Sequence, residues 1–276
     1  MTSDNGLISF IGAGPGAPDL LTLRAADRLR QAEVVVWASS LIPEAVLELT
    51  APTAEVHDSA AMTLEDVLGV YEQRPGARIV RLHSGDPSLY GALQEQLDWC
   101  EANARRYEVV PGVTSVAACA ALLGRELTLP AVSQTLVVTR VPSRTGASMP
   151  VREQLRAYAR HGGTLAILLS GAHPERVVEE LLAEGSAFDA STPAAVVVRA
   201  SWPEERFVRT TVAGIPEAVQ SLEASRSVTI LVGDALAAPG ARSHLYAPSF
   251  SHRFRARSAA GSTAGRPRAR VRRGVR

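Results

Sequence analysis

An apolar run that breaks abruptly into glycines opens the chain. Leu7-Ile8-Ser9-Phe10-Ile11 leads directly into Gly12-Ala13-Gly14-Pro15-Gly16. A short continuous apolar run bounded by turn residues reads as a strand buried on both faces, as in a parallel sheet. The glycines then turn the chain sharply and let a ligand approach bare backbone. Ligands of open α/β sheets bind beyond the carboxyl ends of the strands. This first loop is therefore expected to form part of a nucleotide-like cofactor site.

Gly12, Gly14 and Ala17 fit the dinucleotide pattern G-x-G-x-x-G/A, but two features oppose that assignment. Pro15 lacks the backbone N–H that a pyrophosphate would use. The second apolar run, Val34-Val35-Val36-Trp37, ends in Ala38-Ser39-Ser40, with no carboxylate for a ribose 2′-hydroxyl. An NAD(P)-dependent oxidoreductase is thus the rival reading of this loop, and a purely structural turn is the plain one.

Short strand-like and longer helix-like patterns alternate through the first half. Strands are predicted at 7–11, 33–37, 54–57, 78–82 and 107–110, and helices at 22–31, 43–49, 63–73, 88–103 and 114–123. Such alternation implies an α/β fold with a mostly parallel sheet. From Ser133 the pattern changes. Strands are predicted at 134–141, 164–169, 194–199, 206–212 and 227–232, with helices at 151–160, 174–184 and 215–224. The short connection 200–205 suggests an antiparallel pair and hence a mixed second sheet. With 276 residues the chain is expected to form two unlike α/β domains, 1–130 and 131–250.

Composition narrows the chemistry. Hydrophobic residues make up 46% and charged residues 21%, as in a globular protein. No apolar run reaches the ~18 residues of a membrane span, and no secretory signal precedes the first strand, so a cytoplasmic location is expected. Cys100 and Cys119 show neither disulfide nor metal spacing, and no metal is expected. All 29 basic residues are arginine, which excludes a Walker lysine or a Schiff base. Nine of them lie in residues 251–276 with no acid among them, leaving residues 1–250 with 20 basic and 28 acidic side chains, a net of −8. This tail reads as a disordered extension; a nucleic-acid arm is the rival reading.

Two further turns follow predicted strands. His83-Ser84-Gly85-Asp86-Pro87-Ser88-Leu89-Tyr90 comes after 78–82, with Asp86 placed to cap a helix opened by Pro87. Pro111-Gly112-Val113-Thr114-Ser115 comes after 107–110, with hydroxyls at the next helix start. Parallel strands would set all three turns on one sheet edge.

Gly-Ala-Gly-Pro-Gly, Ser-Gly-Asp-Pro-Ser-Leu-Tyr-Gly and Pro-Gly-Val-Thr-Ser, in this order, resemble the tetrapyrrole methylases. The resemblance runs from about residue 6 to 248. It implies two unlike α/β domains with S-adenosylmethionine in the cleft between them, and a homodimer. Carried over by motif, the cofactor would meet Pro15, Ser84, Gly85, Asp86, Leu89, Thr114 and Ser115, and in the second domain, by pattern rather than by motif, about Leu169 and Ala200. Trp37-Ala38-Ser39-Ser40-Leu41, Leu82-His83-Ser84-Gly85-Asp86 and Ser133-Gln134-Thr135-Leu136 are most similar to family members that methylate C11 of precorrin-4 or its cobalt form. A sibling activity at another ring position stays open, because regiochemistry depends on how the cleft holds the ring.

The chain departs from the family where Gly16-Ala17-Pro18 replaces Gly-Asp-Pro, and where Trp37 replaces a common tyrosine. Ser39 and Ser40 stand where uroporphyrinogen methylases carry an acid. An activated methyl donor demands orientation and a dry cleft more than a protein nucleophile. Arginine forks suit the substrate's carboxylates, and Arg81, Arg140, Arg144 and Arg199 are the candidates. His83 beside the Gly85 turn is the candidate for proton loss or substrate hydrogen bonding.

Overall fold

The computed structural model describes residues 6–142, 149–240, 242–253 and 255. Arg144, most of the 142–150 loop, and the basic tail apart from 251–253 and 255 lie outside them.

Two sheets organise the chain. The first contains β1 (Ile8–Gly12), β2 (Val34–Trp37), β3 (Glu55–Asp58), β4 (Ile79–His83) and β5 (Tyr107–Val110), in the order β3-β2-β4-β1-β5. Every pairing is parallel, so the expected mostly parallel sheet is parallel throughout. β1 and β2 are buried along their whole length, which is why they read as unbroken apolar runs. β3, at the edge, alternates half-buried with exposed residues, and its charged side chains blunt that edge.

Helices cover both faces. α1 (Leu23–Gln31) sends Ala25 and Leu29 against Ile11, Val35, Val80 and Leu82. α2 (Leu64–Gln73) and α3 (Gln94–Ala102) send Val67, Tyr71 and Cys100 against Ile8, Phe10, Val34 and Ile79. Local chemistry sets the starts of α1 and α2. Thr22 caps Ala25 N–H, and Thr63 and Asp66 form a reciprocal capping box.

The second sheet contains β6 (Leu136–Arg140), β7 (Thr164–Leu168), β8 (Pro193–Val198), β9 (Arg206–Thr211) and β10 (Val228–Val232), in the order β6-β7-β10-β8-β9. Only β6 and β7 run parallel; β8 and β9 form the expected antiparallel pair. α5 (Leu155–Ala159), α6 (Pro174–Leu181) and α7 (Ile215–Ser221) pack on one face. The other face is covered by α4 (Ser115–Leu122), which follows directly from the first sheet. Val116, Cys119 and Leu123 there meet Ala166, Ala195, Val197 and Leu231. Each domain is α/β, and α4 joins them through apolar packing.

Three helix expectations need correction. Residues 44–49 form a 3₁₀ helix, not an α-helix. The 151–160 helix divides into a 3₁₀ turn at 151–153 and the short α5, because Gln154 is extended (φ −62°, ψ 145°). The helix expected from residue 88 begins only at Gln94, because Tyr90 and Ala92 adopt left-handed φ values of 56° and 46°. Asp86 therefore caps no helix.

Candidate active site

β4, β1 and β5 are neighbours, so the turns that follow them meet, and they meet glycine on glycine. A Cβ built on Gly112 would lie 2.2 Å from the Gly85 carbonyl oxygen and 2.7 Å from Gly12 Cα. One built on Gly12 would lie 2.5 Å from both Gly112 Cα and that same oxygen. Gly12 and Gly112 are thus small so that the loops can touch; for Gly12 the expectation of backbone bared to a ligand is corrected. Gly14 and Gly85 have positive φ values of 72° and 66°. They exchange two backbone bonds: Gly85 N–H to Gly14 O at 2.8 Å and Gly14 N–H to Gly85 O at 3.2 Å.

Asp86 locks the second turn to the third. Its carboxylate accepts from Gly112 N–H at 2.8 Å, from Ser88 N–H at 2.9 Å and from the Ser88 hydroxyl. Thr114 caps α4 by accepting Val116 N–H, as its place in the sequence suggests.

Between this edge and the ends of β7 and β8 lies a cleft of about 590 Å³, within the range of small-molecule sites. All nine positions expected to meet the cofactor line it. Pro15 comes from the first turn; Ser84, Gly85, Asp86 and Leu89 come from the second; Thr114 and Ser115 come from the third. Leu169 follows β7 and Ala200 follows β8. Leu169, Arg199 and Ser227 also line it with left-handed φ values of 54°, 50° and 53°. Such strain gathers where surrounding structure over-determines the backbone, as at ligand sites.

Of the candidate arginines, Arg199 lines the cleft. Its guanidinium stands 5.3 Å from the Trp202 ring centroid and 3.8 Å from a Glu204 carboxylate oxygen. Arg140, at the end of β6, and Arg81, on β4, are not among the cleft walls. His83, the last residue of β4, is buried against Phe10, its ring centroid 6.1 Å from that of Phe10. Burial, aided by the Arg81 charge, pushes its pKa down to about 4, so it is neutral near pH 7.

Trp202 is the residue that sequence reasoning overlooks. Its Nε1–H donates to Pro15 O at 2.9 Å, and its ring fills the space a Cβ on Gly16 would take, 2.2 Å from Cδ1. Next to it, the Ser201 hydroxyl accepts Ala17 N–H at 3.0 Å. The second domain thereby clasps the first glycine loop. The available signal is an indole in the short connection after β8, read as a plain strand link. Ser40 and Leu41 after β2 and Arg226 before β10 also line the cleft.

The bonds at Asp86 give it a measurable pH signature. Burial alone would raise its pKa, but donation from Ser88 and Gly112 outweighs this and holds the carboxyl below its ordinary value. A depressed folded-state pKa stabilises fully above the unfolded value of about 3.9, and this share is lost as pH falls through the folded value. Asp86→Ala is expected to cost roughly 1.5–3 kcal/mol at neutral pH, the range for hydrogen bonds to a charged group, and to lose less stability than wild type on acidification. Urea midpoints between pH 6 and pH 3 test this; parallel curves for the two proteins would contradict it. The variant is also expected to bind S-adenosylhomocysteine more weakly in calorimetry.

Residues 7–216 match the family of tetrapyrrole (corrin/porphyrin) methylases, and the chain belongs to that family. Within it, the chain is 47% identical over 251 residues to a precorrin-4 C(11)-methyltransferase of Pseudomonas aeruginosa, covering 90% of this chain and 98% of that one. A solved cobalt-precorrin-4 methyltransferase superposes with a TM-score of 0.79 at 39% identity, over 84% of this chain and 96% of the other. A uroporphyrin-III C-methyltransferase from Thermus thermophilus, solved with S-adenosylhomocysteine, superposes at 0.68 with 30% identity, over 83% and 98%.

Proposed function

We propose that the protein transfers a methyl group from S-adenosylmethionine to C11 of precorrin-4, or of cobalt-precorrin-4, in cobalamin biosynthesis. The observation that carries this is the convergence of the seven motif positions, with Leu169 and Ala200, on one interdomain cleft, in a chain 47% identical to a relative named for that reaction. The cleft suits the methyl donor. Ser84, Asp86, Thr114 and Ser115 offer hydroxyls and a carboxylate for its polar groups, while Leu89 and Leu169 present exposed apolar surface.

The donor's sulfonium carries an activated methyl, so the chain's own task is to bind, orient and exclude water. C11 of the partly reduced tetrapyrrole is electron-rich and acts as the nucleophile in an in-line displacement. The side chains fit this division of labour. Both cysteines are buried, with thiol pKa values pushed up to about 11 by desolvation, so neither serves as a thiolate. The glycine turns and the Trp202 clasp hold the donor side rigid, and the second domain closes over it.

The same proposal takes residues 1–130 and 131–250 as the two domains, with α4 reaching from one to the other. A homodimer and a cytoplasmic location belong to it, on the strength of the family. Among the described residues no helix is long and apolar enough to cross a membrane.

Incubation with precorrin-4 and a methyl-labelled donor is expected to place one label at C11, read by mass and NMR. Label at another ring carbon would keep the family and reject the named reaction. No label on any precorrin would reject the function.

A further inference from the structure

Arg81 is the anomaly of the first domain. It lies in β4, on the face that carries Phe10 and packs against Tyr71 of α2, and is half-buried. Among the described residues no carboxylate pairs with it. Its Nη1–H donates to the Ser59 hydroxyl at 2.7 Å, and its Nε–H is enclosed without a partner. Other partly buried arginines are compensated. Arg28 pairs with Glu108, Arg74 with Glu55, and Arg156 with Glu180. Arg105 is likewise unpaired by acid and its Nε–H is also enclosed without a partner, but its Nη groups donate to the carbonyls of Arg74, Pro75 and Ala77, whereas the one bond of Arg81 goes to a hydroxyl.

His83 follows two positions later on the same face of β4. Its bond to the Gly91 backbone favours the charged ring, so a ring N–H donates to the Gly91 carbonyl. Nε2 of the neutral ring is then an enclosed acceptor without a partner. Arg81 Nε–H is the donor left without an acceptor. A buried charge with no counter-charge costs stability, and buried polar groups without partners are rare. The region borders the cleft: Ala60, next to Ser59, and Ser84, next to His83, are both cleft walls.

We propose that Arg81 receives one side-chain carboxylate of the tetrapyrrole and so fixes the ring's orientation against the methyl donor. This rests on the function proposed above and adds the subsite. The ligand chemistry follows from the donors: an anion with two acceptor oxygens, for which a guanidinium fork is the best match. The missing carboxylate partner is then supplied by the substrate, and the protein bears an uncompensated charge until it arrives.

The test separates this role from structural bracing of Ser59, whose hydroxyl also donates to Trp37 O at 2.8 Å. Arg81→Met removes the charge and keeps the apolar stem. The expected result is a KM for precorrin-4 raised at least about tenfold, an unchanged Kd for S-adenosylhomocysteine, and a melting temperature equal to or above wild type. Arg81→Lys, which keeps the charge without the fork, should recover part of the KM. An unchanged KM, or a lowered melting temperature with both affinities intact, would overturn the subsite. A second arm needs no turnover: uroporphyrin, a polycarboxylate tetrapyrrole, is titrated by tryptophan quenching. Wild type should bind it at least about tenfold more tightly than Arg81→Met, and equal binding would overturn the subsite. A wild type that binds uroporphyrin through Arg81 but does not methylate precorrin-4 would reject the reaction and keep the subsite.

Discussion

Gly112→Ala should melt far below wild type and hold the methyl donor poorly. The new methyl would stand 2.2 Å from the Gly85 carbonyl oxygen, 2.7 Å from Gly12 Cα and 3.0 Å from Gly12 carbonyl carbon. All three are backbone atoms of neighbouring turns, so no side chain can swing away to make room. Overpacking a tight site costs about 1–3 kcal/mol, and backbone obstruction sets the upper end. At about 2–4 °C per kcal/mol for a chain of this size, the melting point should drop by roughly 6–12 °C. The displaced turns are those that line the cleft, so the Kd for S-adenosylhomocysteine should rise at least about tenfold, equivalent to ~1.4 kcal/mol. Gly69→Ala is the matched control. Gly69 lies in α2 with nothing within 4 Å of an added Cβ, and alanine there should stabilise by roughly 0.5–1 kcal/mol. Scanning calorimetry of both variants checks the pair. A Gly112→Ala protein as stable as wild type would show that the turns do not depend on their close approach.

Trp202→Ala should produce the other large effect, on donor affinity more than on folding. Three contacts disappear together: the Nε1–H bond to Pro15 O, the packing over Gly16, and the face on which Arg199 stacks. They join the second domain to the first cofactor loop, so their loss frees both walls of the cleft at once. A net hydrogen bond contributes about 1 kcal/mol, and a cation–π pair at a partly exposed site roughly 0.5–1 kcal/mol. With the lost packing added, the KM for the donor should rise on the order of ten- to a hundredfold. Trp202→Phe keeps most of the packing and loses the N–H, so its KM should rise only about fivefold. Steady-state kinetics with the donor varied at saturating tetrapyrrole reads both. Equal KM values for wild type and Trp202→Ala would mean that the clasp is ornamental.

Much of the fold is legible residue by residue, because the signals that encode it are local. Val34-Val35-Val36-Trp37 can only be a strand buried on both faces, and it is one. Thr63 and Asp66 announce the start of α2 through bonds three residues apart. The helix expected at 88 fails for a reason composition does not reveal: Tyr90 and Ala92 are held in left-handed conformations that neither residue type prefers. Gly91 beneath them is confined by Pro87 O, 2.2 Å from where its Cβ would be. Of the candidate site, seven positions taken from the turn motifs and two taken from pattern line one cleft, whereas Trp202, seven strands later in the chain than the loop it clasps, carries no local mark of its partner. Arg81 and His83 could be named as polar residues near a turn, but their burial and unmet hydrogen bonds depend on Phe10, Tyr71 and Gly91.

By itself the sequence determined where the ten strands lie, that the first five belong to a parallel sheet, and that three glycine turns leave it on one side. Each of these follows from backbone sterics and burial within a few residues. Only the tertiary structure decided the strand order β3-β2-β4-β1-β5, which makes neighbours of the three turns and presses Gly12, Gly85 and Gly112 together. It also decided that α4 leaves the first sheet to cover the second, that Trp202 closes the cleft, and that Arg81 is half-buried with no carboxylate partner among the described residues. These are contacts between residues tens to nearly two hundred positions apart. Their energies depend on which apolar faces find one another, and no periodicity within a short window carries that information.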